Sequence, residues 1–102
     1  MSFAQIEYFI AVAEEGHVGR AALKLRVAQP AVSRQIQKLE DELQAQLFQR
    51  TPRGMHLSQA GAVFLAHARN IVGGVDAARR AVRDGAVSDA SSQSRAARPN
   101  QG

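Results

Sequence analysis

A mainly α-helical fold with a short β-hairpin is predicted by three features of the 102-residue chain. Apolar residues recur at helical spacing in separate runs, divided by joints that carry glycine or proline. "FQRTPRGMHLS", residues 48–58, reads instead as two short extended pieces around a turn. The length allows one small domain with a thin core, and hardly two.

Ser2, with Gln5 three residues later, makes a capping box for the first helix. Phe3, Ile6, Phe9, Ile10 and Ala13 form its apolar stripe as far as Glu15, and Gly16 ends it. Gly19 is the expected N-cap of a short second helix, "RAALKLR", whose buried side is Ala21, Ala22 and Leu25. Val27 and Ala28 make the turn that follows. Pro30 suits the first position of a third helix, where its missing N–H costs nothing, and that helix runs to about Leu43. Val32, Ile36, Leu39 and Leu43 form its inner face; Ser33, Arg34, Gln37 and Lys38 lie on the other.

"QAQLF" is a connector that sends Leu47 and Phe48 into the core. Pro52 and Gly54 supply the turn of the hairpin, and Ser58 caps a long fourth helix. Along that helix Leu57, Gly61, Phe64, Ala68, Ile71, Val75, Ala78 and Val82 step by four and three in alternation. This is a heptad seam, which favours helix–helix pairing. Gly73 and Gly74 each cost roughly 1 kcal/mol of helix propensity relative to alanine and mark a soft spot. Packing of the helix on its own domain is the alternative. Dimerisation through Phe64, Ala68, Ile71, Val75, Ala78 and Val82 is preferred, because residues beyond about Ile71 have little domain left to pack against. From Gly85 onward the small and polar residues cannot bury enough to offset the entropy of ordering, so disorder is expected.

Two short helices, a tight turn and a helix with a polar outer face make a helix-turn-helix, and the hairpin makes it a winged one. The expected organisation is a winged helix-turn-helix over residues 1–57, a linker or dimerisation helix over 58–84 and a tail over 85–102.

The formal charge is +4 and the pI about 10.7. Between Gly16 and His56 the bases are Arg20, Lys24, Arg26, Arg34, Lys38, Arg50 and Arg53, against one acidic block, Glu40–Glu42. Charge alone fits a polyanion partner or a merely solvated basic surface. The helix-turn-helix layout decides for double-stranded DNA, because the recognition helix of such a motif reads base edges with its N-terminal turns. Arg34 can fork onto guanine and Gln29 can bond adenine. Ser33 can reach a base or a phosphate, Pro30 and Ala31 a thymine methyl group. Gln37 and Lys38 lie further along, Lys38 as a phosphate ligand. The acidic block is expected to face away from DNA and to favour register by repulsion.

The chain has no cysteine, which excludes a disulfide framework and a thiolate metal site. His17, His56 and His67 share no metal-ligand spacing and sit on unrelated segments, so no catalytic trio, metal or cofactor is expected, and no enzyme. His17 reads as an exposed loop residue; His56 could add to hairpin contacts. Arg79, Arg80 and Arg83 suit the negative end of the fourth helix's dipole. No segment reads as a signal peptide or a bilayer span, and the default location is the cytoplasm, with the nucleoid.

The stretch "AALKLRVAQPAVSRQIQKLEDELQAQLFQRTPRGMHLSQAG" closely resembles the DNA-binding domain of LysR-type transcriptional regulators. The shared pattern is an Ala-Ala pair, Leu, Gln-Pro-Ala-Val-Ser-Arg-Gln-Ile, Leu-Glu, Leu-Phe, an Arg and Leu-Ser-x-Ala-Gly, within a likeness over roughly residues 3–85. The resemblance implies a winged helix-turn-helix, a linker helix that dimerises and sequence-specific binding at bacterial promoters. It implies base or backbone contacts for Gln29, Pro30, Ser33 and Arg34, a phosphate or minor-groove contact for Arg53, and a phosphate contact for Arg20. Arg50 is expected to combine a phosphate contact with bracing of the connector.

The sequence departs from the family pattern at Gly19 and Ala28, where the family usually or often has Ser or Thr. The residues after Gly85 do not resemble the opening strand of the family's inducer-binding domain, so no small-molecule inducer is expected to bind this chain. The rival expectation is an interaction protein without an effector domain, which pairs with a full-length relative and modulates it.

Overall fold

The computed structural model describes residues 1–85. They form α1 (Phe3–Glu15), α2 (Val18–Leu25), α3 (Gln29–Leu43), β1 (Phe48–Thr51), β2 (Gly54–Leu57) and α4 (Gln59–Arg83). The tail expected to be disordered lies, beyond Gly85, outside the described residues. Residues Met1–Val72 make up one unit, and the described residues from Gly73 onward belong to a second.

In the first unit α1 is the central helix. The Ser2–Gln5 capping box is present on both sides, and Gly16 closes α1 in the left-handed region at φ 67°. The buried residues of α1 are Ile6, Phe9, Ala11 and Val12, a broader set than the single stripe expected. The reason is that α1 is covered on several sides, by α2, α3 and β2. Phe9 has no exposed surface. Its ring lies 5.2 Å from that of Phe48 and 4.9 Å, edge to face, from that of Phe64. Such aromatic pairs contribute about 0.5–1.5 kcal/mol beyond their area burial. Leu47 and Phe48 are buried as expected, with Val32, Ile36 and Leu39 from α3 beside them in the core.

The start of α2 corrects the expectation for Gly19. The N-cap is His17, two residues earlier, whose Nδ1 accepts the N–H of Arg20 at 3.3 Å; Gly19 lies inside the helix. Histidine caps when its neutral imidazole offers a lone pair, which gives Val18 room to be the first helical, buried residue. Arg26 ends α2 in the left-handed region at φ 60°. α3 begins at Gln29, so Pro30 holds the second position and not the first. The N-cap is Ala28, which offers no side-chain hydrogen bond, as its departure from the family pattern implied.

The hairpin pairs Phe48 with Leu57, Gln49 with His56, Arg50 with Met55 and Thr51 with Gly54. Thr51 Oγ1 accepts the N–H of Arg53 and donates to the Gly54 carbonyl, both at 3.2 Å, which fixes the turn. Gly54 has φ 126°, and a β-carbon there would collide with the Gly16 carbonyl, which also accepts the N–H of Met55 at 3.0 Å. The hairpin is thereby stitched to the turn between α1 and α2.

Ser58 caps α4, its Oγ accepting the Gly61 N–H at 2.9 Å. The part of α4 in the first unit packs inward through Gly61, Phe64, Leu65, Ala68 and Val72. Two residues of the expected dimer seam, Phe64 and Ala68, lie on this inward face. Ala68 is fully buried and Phe64 half-buried against Phe9, so both serve the intramolecular core. The physical reason is that a three-and-four spacing fits a domain face as well as a partner helix. Val63 and Ile71, on the outer side of the same stretch, are 59% and 42% exposed. In the second unit Val75 is half-buried, Ala78 and Val82 are exposed, and Arg83 lies 3.8 Å from Asp84. Apart from the adjacent residues and the helix's own backbone, no described atom comes within 4 Å of a β-carbon placed on Gly73 or Gly74.

Candidate nucleic-acid interface

The inner face of α3 is spent on the core, so what remains outside is polar. Gln29, Pro30, Arg34, Gln37 and Lys38 are exposed, and Ala31 and Ser33 half-exposed. Gln29, Ser33 and Gln37 follow one another at intervals of four, with Pro30, Arg34 and Lys38 in the adjacent row. The expected reading residues therefore share one face.

Arg50 joins them from the hairpin. It is the cross-strand partner of the buried Met55, so it stands on the side of the hairpin turned to the helices. It lines one cleft with Ser33, Gln37 and Gln49, and a second with His17, Gly19, Gln29 and Thr51. Arg53 is exposed at the tip of the hairpin. His56 stands opposite Gln49 on the outer side of the hairpin.

Ion pairs hold some of the basic side chains and leave others free; Arg26 at the end of α2 and Arg79 and Arg80 on α4 have no side-chain partner among the described residues. Lys24 reaches Glu14 at 3.3 Å and Glu15 at 3.8 Å, Arg69 reaches Glu14 at 3.7 Å, and Arg20 donates to the Glu15 carbonyl at 3.1 Å. Among the described residues Arg34, Lys38, Arg50 and Arg53 have no side-chain hydrogen bond or ion pair. These four cations, on α3 and the hairpin, keep their full donor capacity for an external anion. Arg20 is exposed but folded back onto Glu15, which leaves it off this set; an exposed pair of this kind holds a side chain by about 1 kcal/mol or less.

The acidic block has other work than repulsion. Glu40 accepts the backbone N–H groups of Leu47 and Phe48 at 2.7 and 3.2 Å. Asp41 accepts from Gln37 at 2.9 Å, and Glu42 pairs with the Met1 amino group at 2.6 Å. Glu40 thus fixes the connector that carries the hairpin. The residue that sequence reasoning undervalued most is His17. Its signal is its place three residues before Arg20, at the spacing of a cap and its N3 donor.

Among the described residues no group of three or more His, Asp or Glu side chains is placed to hold a metal ion, and no helix is long and apolar enough to cross a membrane.

Residues 3–62 match the family model described as the bacterial regulatory helix-turn-helix protein, lysR family. The chain is 53% identical over 72 residues to the HTH-type transcriptional regulator ClcR of Pseudomonas putida, covering 71% of this chain and 24% of that protein. It is 44% identical over 87 residues to the HTH-type transcriptional regulator AlsR of Bacillus subtilis, covering 81% of this chain and 29% of that one. The chain thus spans about a quarter of the length of the curated relatives it matches. Among solved structures, the complex of the BenM DNA-binding domain with catB site 1 DNA superposes with a TM-score of 0.80 at 38% identity, over 82% of this chain and 94% of that one. The complex of the CbnR DNA-binding domain with DNA gives a TM-score of 0.76 at 44% identity, over 87% and 100%. A family match across more than half of the chain, on the helices and hairpin that carry the unpaired cations, leads to one conclusion: the chain belongs to the lysR family of bacterial regulatory helix-turn-helix proteins.

Proposed function

We propose that this chain binds double-stranded DNA in a sequence-specific way and serves as the DNA-reading part of a bacterial transcriptional regulator in the cytoplasm. The observation that carries the proposal is that Arg34 and Lys38, without protein partners, share the exposed face of α3 with Gln29 and Gln37, while the equally unpaired Arg50 of the hairpin lines clefts with Gln29, Ser33 and Gln37. The DNA complexes of the similar BenM and CbnR domains support it.

In this reading α3 enters the major groove. Arg34 forks onto guanine O6 and N7, and Gln29 bonds adenine N6 and N7. Ser33 bonds a base or phosphate, and Pro30 and Ala31 meet a thymine methyl group. Gln37, Lys38, Arg20 and Arg50 hold the backbone, while Arg53 at the hairpin tip reaches a flanking phosphate or the minor groove. Residues 1–57 do the reading and the helix over 58–84 joins two copies. Of the residues expected to join the copies, Ile71, Val75, Ala78 and Val82 are those that the domain core leaves available. Two such copies place their recognition helices about one helical turn apart, so the target is an interrupted inverted repeat.

Selection from a random duplex pool tests this, followed by titration of the winner and a scrambled duplex at two salt concentrations. Enrichment of an interrupted inverted repeat, bound well above the scramble, is the expected result. Equal and steeply salt-dependent binding to both would leave only the phosphate term and overturn the reading.

A further inference from the structure

The bare backbone of Gly19 is shared by two side chains from different elements. A β-carbon placed there would lie 2.9 Å from Cε1 and 3.1 Å from Nδ1 of His17, and 3.3 Å from Oε1 of Gln29. Carbon atoms in folded proteins seldom approach so closely, so at least one neighbour would have to give. His17 is not free to give without loss, because its Nδ1 holds the Arg20 N–H and caps α2. Gln29 is free: it is exposed at the first position of α3 and its amide has no hydrogen bond within the described residues. A side chain at position 19 therefore presses on the capping imidazole of His17 most closely, and the Gln29 amide, 3.3 Å away, has to give by a few tenths of an ångström as well.

We infer that Gly19 is a specificity-determining position that touches no base itself: by leaving the space over its α-carbon open, it lets the Gln29 amide lean toward α2 beside the His17 imidazole, and so sets which base pair Gln29 accepts. The inference rests on the proposed reading of Gln29 as a base contact. Its chemistry is geometric. Bidentate reading of adenine needs the amide oxygen and nitrogen to meet N6 and N7 together, so a shift of a few tenths of an ångström or a turn of the amide plane removes one of the two bonds. The His17 imidazole borders the same open space. His17, Gly19 and Gln29 also line one cleft with Arg50 and Thr51 of the hairpin, so the adjustment takes place at the groove-facing rim and not in the core.

The test uses the full chain and the duplex enriched from the random pool. Every single-base-pair variant of one half-site is titrated against the wild type, Gln29→Ala, Gly19→Ala, His17→Asn and the Gln29→Ala/Gly19→Ala double variant. Gln29→Ala is expected to relax preference at one base pair. Gly19→Ala should cut discrimination at that same pair by about fivefold or more. Its affinity for a scrambled duplex at low salt should stay within about twofold of the wild type. The double variant should lose nothing further at that pair. His17→Asn keeps a capping oxygen but removes the ring that borders this space, so it should relax the same pair even if Gly19→Ala melts early. Unchanged discrimination there in both single variants, or an equal loss on every duplex, would overturn the inference. If Gln29→Ala alters no base-pair preference, the reading of Gln29 itself fails, and the role of Gly19 falls with it.

Discussion

Gly61 lies so close to the carbonyl oxygen of Leu47 that no β-carbon fits between them. The same carbonyl accepts the Ser58 N–H at 2.9 Å, and Ser58 Oγ donates to the Gln46 carbonyl at 2.6 Å while accepting from Gly61 N–H. The start of α4 is thus clamped to the connector before β1. This gives the Leu-Ser-x-Ala-Gly pattern a cause in packing.

Gly61→Ala should therefore be severe for so small a change. Overpacking against fixed backbone costs about 2 kcal/mol, which for a domain of this size lowers the melting temperature by roughly 10 °C. Thermal unfolding followed by circular dichroism measures it. An unchanged midpoint would mean that α4 can slide away from Leu47 at no cost.

Glu40 satisfies two backbone donors in the connector, and its removal leaves both half-buried without their partner. Glu40→Ala should destabilise the fold by about 1.5–3 kcal/mol, and Glu40→Gln, which keeps a neutral acceptor, by less. Denaturant titration of the two variants ranks them. Equal stability of both with the wild type would return the acidic block to a purely electrostatic role.

Both ends of α3 are poorly terminated. Ala28 provides no capping side chain, and Gln44 closes the helix with φ 52°, a region where a β-carbon is strained. Ala28→Ser should add about 1 kcal/mol of stability. Gln44→Gly should add roughly 0.5–1 kcal/mol, after the greater chain entropy of glycine is set against the relieved strain. The sites are distant, so the gains should sum in the double variant. A melting curve that moves down in either case would sink the corresponding argument.

On the proposed function, Arg34 and Lys38 differ in kind although both are unpaired cations on α3. Arg34→Ala should cost about 1–3 kcal/mol on the selected site and relax preference at one base pair. Lys38→Ala should weaken every duplex alike and reduce the salt slope by about one. Titrations on matched, singly substituted and scrambled duplexes at several salt concentrations distinguish the two; a uniform loss for Arg34→Ala would reassign it to the backbone.

Two neighbours on α4 should give opposite results. Ala68 is fully buried, so Ala68→Glu places an unpaired charge in the core and should unfold the domain. Ile71 is 42% exposed, so Ile71→Glu should leave a folded monomer. Sedimentation velocity paired with circular dichroism reads both. A folded dimer of Ile71→Glu would place the joining surface elsewhere.

The sequence by itself determined the order of the elements, the α1 capping box, the connector that buries Leu47 and Phe48, and the polar face of α3. These are local matters: spacing, caps and turn residues act over a few positions along the chain, and apolar periodicity shows which face must leave water. Only the tertiary structure decided that α1 is buried on several sides, that Phe64 and Ala68 turn inward, that Glu40 holds the connector and that His17 caps α2 over Gly19. A three-and-four pattern does not say whether its stripe meets its own domain or a partner. A glycine in a sequence does not reveal which distant side chains need its missing β-carbon. Those outcomes depend on contacts between segments far apart in the chain, and packing at close range settles them.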